Sequence, residues 1–335
     1  MTGGTGFLGG WCVVRLLEQG YEVRTTVREP RRELAVRDTV RAAGVDAGAR
    51  LEVVAADLSS DAGWVEAVAG CRYVLHVASP FPPTQPKDPQ EVIAPARDGA
   101  IRVVRAALDA GAQRIVMTSS IAAVREGRIS SFERPFTEAD WTDGDDVSLV
   151  PYARSKALAE RAAWDLVEAA GATGRLTTIC PGLIIGPTLN RDYSFSLQVI
   201  ERPLRGMRAA PRFGFPFVDV RDLADLHVRA MTDPAAAGER FLASDEQWVW
   251  AIDVARILRE RLGAQAAKAP TRVAPDLAVR IAALFDPSIR PRLSELGKPY
   301  YMSSAKARTV LGWTTRPVED SIEDTARTLL PGASR

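Results

Sequence analysis

The chain opens Thr2-Gly3-Gly4-Thr5-Gly6-Phe7-Leu8-Gly9 and runs at once into a helical pattern, Trp11 to Leu17, that stops at Gly20. Glycines at this spacing, at the mouth of a helix, suit few folds. Gly3 permits a tight turn, Gly6 lets backbone approach a pyrophosphate, and Gly9 lets the helix lie close to a sheet. Thr5, Phe7 and Leu8 complete the loop. Bound phosphates would sit at the positive end of the helix dipole. An ordinary glycine-rich turn is the competing reading, because the pattern alone is weak. The strand-like Glu22 to Thr26 just beyond the helix favours dinucleotide binding.

A loop of this kind should follow a strand, and only Met1 precedes Thr2. The missing strand would be the central one of the sheet. About five buried apolar side chains there would contribute roughly 1.5–3 kcal/mol each. That sum is comparable with the whole stability of a domain, about 5–15 kcal/mol. The expectation is that the chain begins too late or is truncated, or else that another segment fills the slot. Extension upstream by about five apolar residues should then raise the melting temperature.

Strand-like runs alternate with helical ones through the first half. Tyr21 to Val27, Arg50 to Ala56, Tyr73 to Val77, Arg114 to Thr118 and Leu176 to Cys180 read as strands. Arg31 to Ala43, Ala62 to Val68, Glu91 to Ala110 and Tyr152 to Ala170 read as helices. Short apolar strands separated by helices predict an α/β fold: a Rossmann-type, doubly wound parallel sheet covered on both faces. After Cys180 the rhythm breaks into proline- and aromatic-rich stretches, with helices at Val220 to Thr232, Ile252 to Leu262 and Leu277 to Phe285. The predicted division is a dinucleotide-binding domain over 1–180 with a return segment near 215–235. Residues 181–214 and 236–335 would form a smaller, discontinuous substrate lobe.

Forty-three Lys plus Arg against 42 Asp plus Glu give a net charge of +1. This balance removes the usual electrostatic reason to expect a nucleic-acid or membrane-surface partner. No apolar run reaches the roughly 18 residues of a membrane span. Cys12, Cys71 and Cys180 form no metal pattern with the two histidines, His76 and His227. No metal is expected, and buried thiols in a reduced, cytoplasmic setting are the simplest reading. His76 reads as a strand-end core residue, His227 carries no assigned chemistry, and Trp248 and Trp250 read as core packing.

The nucleotide's ribose should meet the end of the second strand of such a fold, here Thr25-Thr26-Val27-Arg28-Glu29. An Arg28 guanidinium suits the extra phosphate of NADP better than the ribose hydroxyls of NAD. Glu29 complicates this, and a solvated basic helix start is the alternative. Asp57-Leu58, at the end of the next strand, is placed to touch adenine, although Asp57 could equally be a turn residue.

Tyr152-Ala-Arg-Ser-Lys156 opens a helix behind Pro151, and its spacing of four puts Tyr152 and Lys156 on one face. With six Tyr and five Lys in the chain, only ~0.1 such pairs arise by chance. A surface Tyr beside a salt-bridging Lys is the bland reading. Against it, the pair lies after the strand ending Thr118-Ser119-Ser120, and carboxyl ends of parallel strands carry the chemistry.

These features together resemble the extended short-chain dehydrogenases/reductases of the NAD-dependent epimerase/dehydratase family. The likeness is strongest to the dihydroflavonol-reductase-like branch with its bacterial aldehyde and ketone reductases. The matching residues are the opening glycine loop, Thr26-Val27-Arg28, Asp57-Leu58, His76-Val-Ala-Ser-Pro80 and Thr118-Ser-Ser120. They continue with Tyr152-x-x-x-Lys156, Cys180-Pro-Gly182, Gly186-Pro187 and Asp219-Val-Arg-Asp-Leu-Ala224, in order over about two thirds of the chain.

The resemblance implies NADP(H) and a Ser-Tyr-Lys catalytic set. Tyr152 would donate a proton to the developing alkoxide, and the Lys156 ammonium would stabilise its phenolate and hold the nicotinamide ribose. Ser120, chosen over Ser119 because it immediately precedes the small-residue run Ile121-Ala-Ala123, would donate to the carbonyl oxygen. Ala78, Ser79, Pro181 and Leu183 would line the nicotinamide end. Two positions depart from the family: Arg125 replaces a substrate-binding Asn of the plant members, and Arg102 replaces a common Asn. These put a flavonoid substrate and a relay through that helix in doubt.

The expected activity is reduction of a small or medium aldehyde or ketone. Phe81, Arg125, Leu183, Tyr193 and Phe217 are candidate pocket walls. A nucleotide-sugar epimerase or dehydratase is the alternative, with Arg191, Arg202, Arg205 and Arg208 as possible phosphate partners. A non-catalytic dinucleotide sensor is another. A homodimer through the Glu91 and Tyr152 helices follows from the resemblance alone.

Overall fold

The computed structural model describes residues 1–80, 88–190, 194–286 and 289–330. From the glycine loop the chain enters α1 (Phe7–Glu18), then β1 (Val23–Val27), α2 (Glu33–Ala42), β2 (Leu51–Ala55), α3 (Trp64–Val68) and β3 (Tyr73–His76). It continues through α4 (Gln90–Asp109), β4 (Arg114–Thr118), α5 (Ala122–Arg125), α6 (Pro151–Ala169), β5 (Leu176–Pro181) and β6 (Leu183–Ile185). The remainder is α7 (Gln198–Gly206), β7 (Gly214–Asp219), α8 (Val220–Thr232), β8 (Arg240–Ala243), β9 (Trp248–Trp250), α9 (Ala251–Leu262), α10 (Asp276–Phe285), α11 (Ala305–Leu311) and α12 (Val318–Leu329).

β3, β4, β5 and β8 pair in parallel in that order, and β1 pairs in parallel with β2. Met1 and Thr2 lie between these two groups. Thr26 N–H donates to the Met1 carbonyl at 3.0 Å, and Thr2 N–H donates to the Leu75 carbonyl at 2.9 Å. Met1, at the place of the expected central strand's last residue, and Thr2, the first of the glycine loop, therefore bridge the sheet. Every residue of β5 is buried, as a parallel strand covered on both faces requires.

One face carries α1, α2 and α8, which pack Val13, Leu17, Val36, Val40 and Leu223 into a single cluster. The opposite face carries α3, α4 and α6, with Trp64, Val103, Val104 and Ala163 buried there. Such a layered arrangement is what the alternation of short strands and amphipathic helices demands.

A second sheet, β6 parallel to β7 and β7 antiparallel to β9, packs with α7, α9 and α12 around Phe213, Phe217, Ile257 and Ile322. Two boundaries differ from the sequence reading. Arg240–Ala243, placed there in the substrate lobe, forms β8 and extends the main sheet beside β5. Most of β7, placed in the return segment, belongs to the small sheet, and it is α8 that returns. Ala307, Leu311 and Trp313 also pack back against α8. Periodicity marks a segment as strand or helix and does not say which sheet it joins.

Candidate active site

Gly3 adopts φ +79, a conformation that favours glycine. A Cβ on Gly9 would lie 2.0 Å from the Gly3 carbonyl oxygen, so the helix can only leave the loop with glycine there. Gly6 is different. Its φ is −78, and a Cβ would stand 3.4 Å from Gly3 O, an ordinary contact. Nothing within the described residues requires glycine at this position. This is the observation that fits a phosphate against the α1 N-terminus.

Arg28, at the end of β1, is exposed, and among the described residues it makes no hydrogen bond or ion pair. Glu29 is engaged by Arg31, and the Arg31 hydrogen bond holds its carboxyl below the usual range. The complication foreseen at Glu29 is thus met locally, and Arg28 stays open for a phosphate.

Asp57 Oδ1 accepts from Ser59 N–H and from Ser59 Oγ, both at 2.8 Å. These bonds lower its pKa and make it a turn-forming residue. Arg102 bonds Asp61 and the Leu58 carbonyl, so the residue that replaces the expected Asn braces this loop against α4.

Thr2 Oγ1 accepts from the N–H groups of Val77 (3.1 Å) and Ala78 (2.9 Å) and lies 3.0 Å from His76 Nδ1. With two donors already on the oxygen, its own proton goes to Nδ1. His76 is therefore neutral, and burial, aided by the nearby Lys156, depresses its pKa to about 3. His227 is likewise buried, its pKa lowered to about 4 by desolvation. Its Nδ1 faces the Leu223 carbonyl at 2.8 Å, so Nδ1 carries the proton and Nε2 accepts from Thr118 Oγ1 at 2.7 Å. Both histidines are structural.

Of the catalytic candidates, Ser120 follows the carboxyl end of β4, and Lys156 meets Ser79 beyond the carboxyl end of β3. Pro151 occupies the first position of α6 and Val150 before it is extended, as a residue before proline prefers. Tyr152 falls in the first turn, and Lys156 Nζ lies 5.7 Å from the centre of its ring. Lys156 is 9% exposed and donates to Ser79 Oγ at 2.9 Å. Ser79 therefore meets the candidate lysine directly.

Ser120 is half-buried, and its Oγ accepts from Ala122 N–H at 3.1 Å, leaving its own proton to donate. Ser119 instead is buried against Glu160 at 2.6 Å. Ile121 N–H donates to the Pro181 carbonyl at 2.9 Å, which ties the serine turn to β5. Leu58, Ala78, Ser79, Ser119 and Lys156 line one cleft.

Of the proposed walls, Leu183 is half-buried at the start of β6. Phe217 is 1% exposed and stacks on Phe215 within the lobe core. Phe81, Tyr193 and Arg191 lie outside the described residues. Arg125 pairs with Glu126 and Glu295 and lies 4.0 Å over the Tyr300 ring. Trp248 and Trp250, read as core, are only half-buried and join Tyr300 in an aromatic cluster. On α7, Arg205 pairs with Glu201 and Arg202 with Gln198.

Asn190 had no assignment. Its Nδ2 donates to Thr39 Oγ1 at 3.0 Å and reaches the Thr5 carbonyl at 3.5 Å, tying the segment after β6 to the glycine loop. No local pattern marks it. Cys12 and Cys180 are buried and free, whereas Cys71 is partly exposed. Among the described residues no group of His, Cys, Asp or Glu is arranged to hold a metal, and no helix is long and apolar enough to cross a membrane.

Residues 1–243 match the sequence model of the NAD dependent epimerase/dehydratase family. The chain belongs to this family. Within its reach is cinnamoyl-CoA reductase CAD2 of Medicago truncatula, 33% identical and covering 98% of this chain and 94% of its own. A dihydroflavonol 4-reductase of Zea mays is 35% identical over 78% of this chain and 73% of its own. In fold, the chain is similar to the yeast methylglyoxal/isovaleraldehyde reductase Gre2 complexed with NADPH. That match has a TM-score of 0.80 at 23% identity, covering 98% of this chain and 96% of that one. A Stenotrophomonas maltophila UDP-glucose-4-epimerase reaches 0.77 at 20% identity, over 98% and 96%. The family fold alone thus does not separate reductases from epimerases.

Proposed function

We propose that the protein is an NADP(H)-dependent reductase that converts an aldehyde or ketone to an alcohol. The observation that carries the reading is the Tyr152–Lys156 pair on one face of α6, with Lys156 bonded to Ser79 beyond β3 and, beyond β4, a Ser120 hydroxyl whose own proton is left to donate. Curated relatives at a third identity are named as reductases, which favours this reading over an epimerase. The open Arg28 guanidinium and the bare Gly6 backbone fit NADP(H).

The dinucleotide, when bound, supplies the hydride. Ser120 holds the carbonyl oxygen by donating a hydrogen bond, and Tyr152 delivers the proton as negative charge builds on that oxygen. The Lys156 ammonium stabilises the phenolate that remains. Ser79 keeps Lys156 turned toward this point. Asn190 and Arg102 hold the two loops against which the dinucleotide would lie.

The test is NADPH consumption against a panel of aldehydes, ketones and nucleotide sugars. Turnover of a nucleotide sugar without net NADPH loss would favour the epimerase reading, and binding without turnover a sensor. Tyr152→Phe is expected to lower kcat/KM by about 10²–10⁴-fold with NADPH affinity nearly unchanged. Full activity in that variant would remove Tyr152 from the role.

A further inference from the structure

We propose that Glu160 is a positioning residue: through Ser119 and Arg240, its buried carboxylate fixes the strand end carrying Ser120 relative to the helix carrying Tyr152 and Lys156. This rests on the reductase reading above.

Tyr152, Lys156 and Glu160 follow one another at spacings of four along a single face of α6. Lys156 lines the cleft, with the Tyr152 ring beside it. Glu160 is fully buried and accepts from Ser119 Oγ at 2.6 Å, Thr178 Oγ1 at 2.7 Å, and Arg240 Nε and Nη2 at 2.8 and 3.0 Å. Arg240 spends its other donors on the carbonyls of Glu138 (3.0 Å), Asp140 (2.6 Å) and Ala123 (3.3 Å). Its guanidinium lies 3.6 Å over the Trp141 ring. All five of its N–H groups are used. One carboxylate thereby joins α6, the end of β4, β5 and β8, and through Arg240 it reaches α5 and the loop after it.

Stability alone does not ask for this arrangement. A buried ion pair is costly to desolvate, and apolar residues of equal volume often serve as well or better. What the pair adds is direction. Ser119 turns inward to Glu160, and the next residue, Ser120, remains half-exposed with its proton free to donate. Locking one serine sets the orientation of the other. Burial pushes the Glu160 carboxyl up, but the Arg240 guanidinium and the hydroxyls of Ser119 and Thr178 outweigh it and hold it below its ordinary value. It is therefore an ionised, fully engaged anchor. A substrate oxygen must meet Ser120 and Tyr152 together, and a shift of about 1 Å can cost about 10²-fold in rate.

The experiment uses the full chain with NADPH and an aldehyde that it reduces. Glu160→Gln is expected to lower kcat about 30–100-fold, with KM and NADPH affinity held within about twofold. Ser119→Ala leaves the ion pair whole and removes only the tether; about a tenfold loss in kcat is expected, with Tm within about 2 °C of wild type. The double variant Glu160→Met/Arg240→Met removes both charges together; it should melt below wild type, because the carbonyls of Glu138, Asp140 and Ala123 lose Arg240, and where folded it should turn over slowly. Wild-type kcat in the folded double variant, or in Ser119→Ala, would overturn the proposal. Where a charge-pair variant yields no folded protein, Ser119→Ala alone decides. Tyr152→Phe is measured alongside. If it stays fully active, the assigned role of Tyr152 and this proposal fall together. If it is inactive while Ser119→Ala is unimpaired, only the positioning role falls.

Discussion

Gly6 and Gly9 stand in one loop and answer to different demands. A methyl group on Gly9 would collide with Gly3 O at 2.0 Å, and only backbone movement can relieve it. Gly9→Ala should therefore cost about 1–3 kcal/mol or more of stability, read as a lower Tm. Gly6→Ala meets no such obstacle within the chain. It should melt within about 2 °C of wild type and yet bind NADPH at least about tenfold more weakly. Equal loss of Tm in both variants would contradict the assignment of Gly6 to a ligand. Arg28 makes a similar contrast. Arg28→Glu should weaken NADPH by about 10²-fold, through loss of a charge-assisted bond and gain of repulsion, and leave NADH much less affected. Parallel titrations of the two coenzymes check this. Serine choice is legible only in part at this scale. The run Ile121-Ala-Ala123 pointed to Ser120, but the physical reason, that Ser119 is already bonded to Glu160, lies 41 residues along the chain.

Among the elements, β1 to β5 and most helices fall within one or two residues of where periodicity and turn residues put them. Each such signal is local: a short apolar run, a Pro151 start, a glycine stop. The pairing of β8 with β5 was not legible, because four apolar-rich residues at the edge of one sheet look the same as at the edge of another. The brace from α4 to the loop after β2 escaped for the same reason. Arg102 reaches the Leu58 carbonyl across 44 residues, and a Cβ on Gly99 would sit only 3.1 Å from Leu58 Cβ. Arg102→Ala should release this loop. The expected result is about a tenfold rise in NADPH Kd, equivalent to ~1.4 kcal/mol from lost hydrogen bonds, with kcat little changed. Fluorescence titration and steady-state rates measure the two quantities.

At the level of the whole molecule, His76, His227 and Asp245 make opposed contributions to the response to pH. His76 and His227 are held neutral, with pKa values depressed by burial from 6.5 to about 3 and about 4. The unfolded chain therefore binds more protons than the folded one between these values and 6.5. Their contribution is fully present above pH 6.5 and is lost as pH falls through about 4 to 3. Asp245 works in the opposite sense. Burial raises its pKa from 3.8 to about 7, so the folded state binds the extra proton and stability falls as pH rises through that window. Asp245→Asn removes this opposition. Between pH 4.5 and 6.5 its stability should rise with pH more steeply than wild type, by up to about 1.4 kcal/mol per pH unit for one proton. Denaturant melts at three pH values measure the slope; parallel curves would exclude Asp245 as a titrating group.

The order of strands and helices, the glycine loop and the shared face of Tyr152 and Lys156 were determined by the sequence itself, because each depends on spacings of a few residues. Tertiary structure decided which serine is free, what neutralises Arg125, why Arg102 stands on α4 and where β8 belongs. Those are matters of which distant segments meet. Arg125 finds Glu295 across 170 residues and Glu160 finds Arg240 across 80, and partners so far apart are set by the packing of the whole sheet rather than by any pattern along the chain.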